Sequence, residues 1–132
     1  MLRYFKYQFK GNIPAIKGKW FLRVKHGETI DLQGLAAHMS DHNSPFSEGV
    51  INGVFKDMVK CMEELMLDGY KIKIGDLAIF SISLQSKGVD DPNNATPQNI
   101  RAFKFNARGT GKTTSANIAQ KVHVKELDEY SV

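Results

Sequence analysis

Apolar positions recur with period two near the start of the chain. In RYFKYQFK (residues 3–10) Phe5, Tyr7 and Phe9 fall on one face and Tyr4, Lys6, Gln8 and Lys10 on the other, which predicts a half-buried strand. GNIPAIKGK follows as a turn. KWFLRVK (19–25) alternates again and sets Trp20, Leu22 and Val24 against Phe21, Arg23 and Lys25, so the two segments are expected to pair as a hairpin with basic polar faces. The period then changes. Asp31 is a suitable N-cap, and Leu32, Leu35, Ala36 and Met39 follow at helical spacing to about Asp41. After the turn HNSPF, Ser47 opens a longer helix whose apolar stripe runs through Ile51, Val54, Phe55, Met58, Met62, Leu65 and Met66 and stops at Gly69, a C′ glycine. That stripe is wide for one small sheet to cover, which favours a partner subunit.

Period two returns in YKIKI (70–74) and LAIFSISL (77–84), separated by the hairpin dipeptide Gly75-Asp76. Residues 85–98, with Gly88, Pro92, Pro97 and two asparagines, read as a loop or short arm. NIRAFKF (99–105) alternates Ile100, Ala102 and Lys104 with Arg101, Phe103 and Phe105 as another strand. TTSANIAQKV supports one short helix, and HVKELDEYSV reads as a tail.

The 132 residues suit a single domain, and 42% hydrophobic with 24% charged residues is ordinary globular composition. A lone cysteine, Cys61, rules out a fold built on intrachain disulfides, and its neighbours Val59, Met62 and Leu65 predict a buried helical thiol. No apolar run approaches a membrane span, and the alternating N-terminus lacks the apolar block of a signal peptide, so a soluble protein of a reducing compartment is expected. The net charge of +4 hides a strong pattern: residues 1–27 carry +7, 28–91 carry −6, 92–125 carry +6 and 126–132 carry −3. Two basic blocks flank an acidic middle; on one face they would make a strongly positive surface. The plainer account is that lysines keep exposed strands soluble and unpaired.

Most chemical motifs dissolve on inspection. GTGKT (109–113) follows a strand and precedes a helix, yet a phosphate-binding P-loop needs a glycine where Asn106 stands. It reads better as a basic turn whose amides and Lys112 could meet a phosphate. His38 and His42 lie one helical turn apart, but a zinc site needs further ligands and none is in register. Met58, Met62 and Met66 suit a dimer core better than a partner groove. Trp20 and Phe21 are expected to pack under the hairpin. No catalytic constellation, metal site or cofactor motif emerges, and no enzyme is expected.

The order of two helices, glycine, hairpin, arm, strand and short helix resembles the HU and integration-host-factor family of bacterial DNA-binding proteins. GYKIKIGDLAIFSI (69–82) is similar to the family's glycine-ended helix running into a strand, a glycine turn and a strand containing Phe, and IRAFKF continues the pattern. The resemblance covers about residues 29–121. The basic aromatic hairpin before it is similar to an extended HU-like subfamily of Bacteroides-type bacteria.

The resemblance implies an α+β fold: two helices on a small antiparallel β-sheet with a shortened β-arm, a short C-terminal helix and an extra N-terminal β-hairpin, in an intertwined homodimer. Its implied organisation is a hairpin extension at 1–28, an HU-like DNA-binding domain at 29–121 and a tail at 122–132. On that basis Phe103 is expected in the core. The implied partner is double-stranded DNA, bent through its minor groove and held by phosphate contacts with little sequence specificity in the bacterial nucleoid. No membrane or small-molecule substrate is implied. Arg101, Lys104, Arg108 and Lys112, with Lys87 at the arm base, are the expected contacts, and Lys6, Lys10, Lys17, Lys19 and Arg23 form an accessory surface. Two departures stand out. The family's Arg-Asn-Pro arm tip is replaced by DDPNN, in which Asp90 and Asp91 would repel phosphates, and the lead-in to the last helix reads ARGTGK. An acidic arm and an extra strand pair also suit a dimeric protein-interaction module on an HU-like scaffold that has lost DNA bending.

Overall fold

The computed structural model describes residues 1–127. The chain divides into two compact units, one of Met1–Thr29 with the chain from Ile118 onward, the other of Ile30–Asn117.

The larger unit begins with α1 (Leu32–Asp41), whose N-terminus is closed by Asp31: its carboxylate accepts a hydrogen bond from Gly34 N at 2.9 Å. Ser47 does the same for α2 (Glu48–Leu67), accepting from Val50 N. At the far end Gly69 takes φ +91°, Gly69 N donates to Met66 O and Tyr70 N donates to Leu65 O. This paired closure satisfies carbonyls the helix would otherwise leave open and turns the chain into the sheet. Both helices fall where their capping residues predict.

The sheet that follows has the order β3 (Ile72–Ile74), β4 (Ala78–Ser86), β5 (Ile100–Gly109), all antiparallel. The alternation in NIRAFKF predicts a strand ending at Phe105, but pairing with Ala78–Ser81 carries β5 on to Gly109. Between the strands the chain makes two short 3₁₀ turns, Pro92–Asn94 and Pro97–Asn99.

α2 packs on α1 and on β3 and β4. The buried apolar residues among those described are Ala36, Ile51, Met66 and Ala78. Ile51, Phe55, Met62 and Met66 form the covered edge of the α2 stripe. Val50, Val54, Met58, Cys61 and Leu65 wind up the adjoining flank, and all are exposed. The prediction of a buried Cys61 is therefore corrected: the thiol is exposed, on the half of the stripe that no described element covers. Phe103 is likewise 68% exposed, because the far half of the sheet's apolar face extends beyond α2.

The smaller unit is a sheet of order β2-β1-β6, built from β1 (Leu2–Gln8), β2 (Trp20–Val24) and β6 (Val124–Glu126). The expected hairpin forms. Its register, however, pairs Tyr7 with Phe21 and Phe5 with Arg23, so the aromatic positions of β1 face the Phe21/Arg23 side of β2 and not the Trp20/Leu22/Val24 side. Trp20 remains 53% exposed and is not packed beneath the hairpin. The segment read as a tail from residue 122 supplies β6, which lies parallel to β1 with Leu2 opposite Val124; its last residues, 128–132, fall outside the described part. A seven-residue helix, α3 (Ser115–Lys121), precedes β6.

Candidate nucleic-acid interface

Cross-strand register decides which side chains share a face, since directly paired residues point the same way and alternate positions point oppositely. In the larger unit Lys73 pairs with Ile79, Ile79 with Arg108, Ser81 with Asn106 and Ser83 with Lys104. Lys73, Arg108 and Lys104 therefore stand on one face among Ser81, Ser83 and Asn106, and no strand position on this face is acidic. Asn106 Nδ2 donates to Ser83 Oγ at 2.8 Å across the two strands. The opposite face is apolar: Ile72, Ile74, Ala78 and Phe80 lie toward α2, with Ile82, Leu84, Phe103 and Phe105 farther out.

The basic turn after β5 is fastened to the hairpin turn between β3 and β4. Thr110 N donates to Leu77 O at 3.2 Å, and Thr110 Oγ1 donates to Gly75 O at 2.8 Å. Thr113 Oγ1 lies 2.8 Å from Asp76 O and 2.9 Å from Thr110 O, with Leu77 O also in reach, so its single proton is shared among three carbonyls. Asn117 Nδ2 donates to Gly111 O at 2.6 Å. A side chain at Gly111, where φ is +50°, would collide with the Asp76 carboxylate, and one at Gly109 would collide with Thr113 O. The two glycines thus serve close packing within the turn. A recess of about 560 Å³ opens beside it, lined by Lys73, Arg108, Gly109, Thr110, Gly111, Thr113, Thr114 and Ser115. Two cations and several hydroxyls around such a recess suit an anionic oxygen ligand.

The structure brings Lys104 and Arg108 together with Lys73, and sets Lys112 in the adjoining turn, at Gly111–Thr113. Lys73 is the residue that sequence reasoning missed; its position between Ile72 and Ile74 in YKIKI is the signal, masked by the net acidity of residues 28–91. Period-two alternation sets Arg101 with Phe103 and Phe105, on the side opposite Lys104, and a β-bulge interrupts that alternation at Arg101, where pairing moves from Gln85 with Ala102 to Ser86 with Ile100. Lys87 stands at the base of the connecting loop, its N–H bonded to Asn99 O. In the smaller unit Lys6 is ion-paired with Glu126 at 2.9 Å, Arg23 lies over the Tyr7 ring at 4.1 Å, and Lys10, Lys17 and Lys19 belong to the turn joining β1 and β2. Lys6 and Arg23 are on opposite faces of that sheet. Among the described residues no group of three or more metal-ligating side chains occurs, and no helix is long and apolar enough to cross a membrane.

Residues 3–125 match the model of a family described as an HU domain fused to wHTH, Ig, or glycine-rich motif. The chain belongs to this HU-HIG family. The matched span takes in β1 and β2, so the N-terminal hairpin lies within the HU-HIG pattern. The fold is similar to the crystal structure of an inferred bacterial DNA-binding protein from Bacteroides vulgatus ATCC 8482, with a TM-score of 0.66 at 11% identity over 96% of this chain. This HU-HIG chain spans 47% of the length of that protein. Curated proteins include no match to it.

Proposed function

We propose that the chain is an HU-like protein that binds duplex DNA as a homodimer, chiefly through phosphates and with little sequence preference, and that it acts by binding without catalysis. The observation that carries this reading is the shared face of Lys73, Lys104 and Arg108, where Ile79, Ser81, Ser83 and Asn106 stand between the cations, no strand position is acidic and the adjoining recess is lined by hydroxyls and backbone. Lysine and arginine there neutralise phosphate charge and read no base edges unless a groove is entered. Lys112 in the adjoining turn belongs to the same surface, and Lys87 and Arg101 flank it at the loop base. The uncovered α2 flank and the outer apolar face of β4 and β5 supply the surface that a second copy would bury. In the cell such a protein would sit on the nucleoid.

The test is fluorescence anisotropy of a labelled random-sequence duplex at several salt concentrations. Log affinity should fall linearly with log salt, by about 0.9 per phosphate neutralised. Replacing Lys73, Lys104 and Arg108 together by Gln should lower that slope by about 3 and weaken unrelated duplexes equally. An unchanged slope would remove this face from the interface.

A further inference from the structure

The three-stranded sheet of the smaller unit has two unlike faces. On one, Leu2, Tyr4, Val24, Leu22, Trp20 and Val124 surround the Lys6–Glu126 ion pair. On the other, Arg3 is flanked directly by Lys125 on β6, and on the β2 side by Lys25, whose N–H donates to Arg3 O at 2.8 Å. Three cations thus stand in one row, on β1, on β6 and just past the end of β2. Like charges directly opposite each other destabilise a sheet, and none of the three pairs with a carboxylate among the described residues. The next row is Phe5 with Arg23, and the next Tyr7 with Phe21, whose ring centroids are 5.8 Å apart. Lys19 follows beside Phe9, bonded to it through the backbone. No strand position on this face is acidic. A recess of about 510 Å³, lined in part by Arg3, Lys25 and His26, opens at its cationic end.

We propose that this face is a second nucleic-acid surface, separate in its residues from the polar face of the β3-β4-β5 sheet, and that it takes single-stranded nucleic acid. The repulsion within the row Lys25–Arg3–Lys125 is relieved by a polyanion. The aromatic rows beside it choose among polyanions, because half-buried Phe5, Tyr7 and Phe21 leave ring surface on which an unpaired base stacks. The Arg23 guanidinium carbon lies over the Tyr7 ring, 4.1 Å from its centroid, and a guanidinium group on this face can itself stack on a base. Duplex DNA presents no free base faces, so it would use the cations and leave the rings idle. Phosphates on one row and bases on the next is the arrangement by which sheet surfaces hold single strands.

The test is titration of a labelled oligothymidine of roughly 15 nucleotides, read by anisotropy, with the full chain. Changing Arg3, Lys25 and Lys125 together to Gln should weaken binding at least tenfold and lower the salt slope by about 2, at about 0.7 per phosphate on a single strand. Phe21→Leu keeps the charge and an apolar side chain, and should weaken binding about fivefold with the slope unchanged. The Lys73, Lys104 and Arg108 variant, which tests the duplex reading, should leave oligothymidine affinity intact; either reading can therefore fail alone. The proposal is overturned if both sets of changes on this face leave oligothymidine affinity unaltered. Polyglutamate competing as effectively as oligothymidine would also overturn it, by marking the face as a site for acidic protein.

Discussion

Thr113 holds two turns together with one hydroxyl. Its Oγ1 reaches Asp76 O, Leu77 O and Thr110 O, so the turn that carries Lys112 is tied to the turn between β3 and β4 through a group with a single proton. Thr113→Val keeps the shape and removes the proton; it should cost about 1 kcal/mol of stability, the net worth of one such bond. Gly111→Ala should cost more, about 2 kcal/mol or above, since φ is +50° and the added methyl meets Asp76. Denaturant titration measures both. If Gly111→Ala is neutral, the close contact with Asp76 does not constrain the turn. The same two residues explain why GTGKT resembles a nucleotide-binding loop without the arrangement of one: its glycines are occupied with Asp76 and Thr113, and the amide of Thr110 is already bonded to Leu77.

The elements divide by how local their causes are. α1 and α2 were legible almost to the residue because Asp31, Ser47 and Gly69 act on backbone groups within one turn of themselves. Strand limits and faces were less legible, because partners far along the chain set them: β5 gains residues 106–109 from pairing with β4, and the β1–β2 register turns Arg23 toward the aromatic side. Lys104 and Arg108 could be selected from charge alone. Lys73 needed the pairing of β3 with β4, whereas the separation of Arg101 from Lys104 and Arg108 was already legible in the period-two alternation of NIRAFKF. The connecting loop carries its own chemistry: Asp91 Oδ1 accepts from Asn93 N at 3.0 Å and caps the turn at Pro92–Asn94. Asparagine caps as aspartate does but without charge. Asp90→Asn with Asp91→Asn should therefore preserve the loop and raise duplex affinity about threefold at low salt, with the gain fading as salt screens it. No gain at low salt would mean that the loop does not approach the phosphates.

At the scale of the whole molecule the uncovered apolar surface of the larger unit is the feature that a single chain leaves unexplained. Val54 is 60% exposed, Phe103 68% and Phe105 64%, all on faces continuous with the core around Ile51 and Phe80. Contiguous apolar surface of this kind marks an interface in a stable protein, and a second copy of the chain offers the same surface in return, as a two-fold dimer requires. Cys61 reports on the arrangement because it sits among Val54, Met58 and Leu65 on the exposed flank. If that flank is the dimer interface, light scattering should give twice the 14.8 kDa chain mass, and a maleimide should label Cys61 slowly. Val54→Asp with Met58→Asp would bury carboxylates without partners, at a cost of several kcal/mol, and should give monomers whose Cys61 labels fast. A wild-type mass of one chain, or Cys61 labelling equally fast in both proteins, would exclude the α2 flank as the contact. If the protein is a dimer, the monomeric variant should also bind duplex DNA more weakly, since two polar sheet faces would no longer be held to one duplex at high effective concentration.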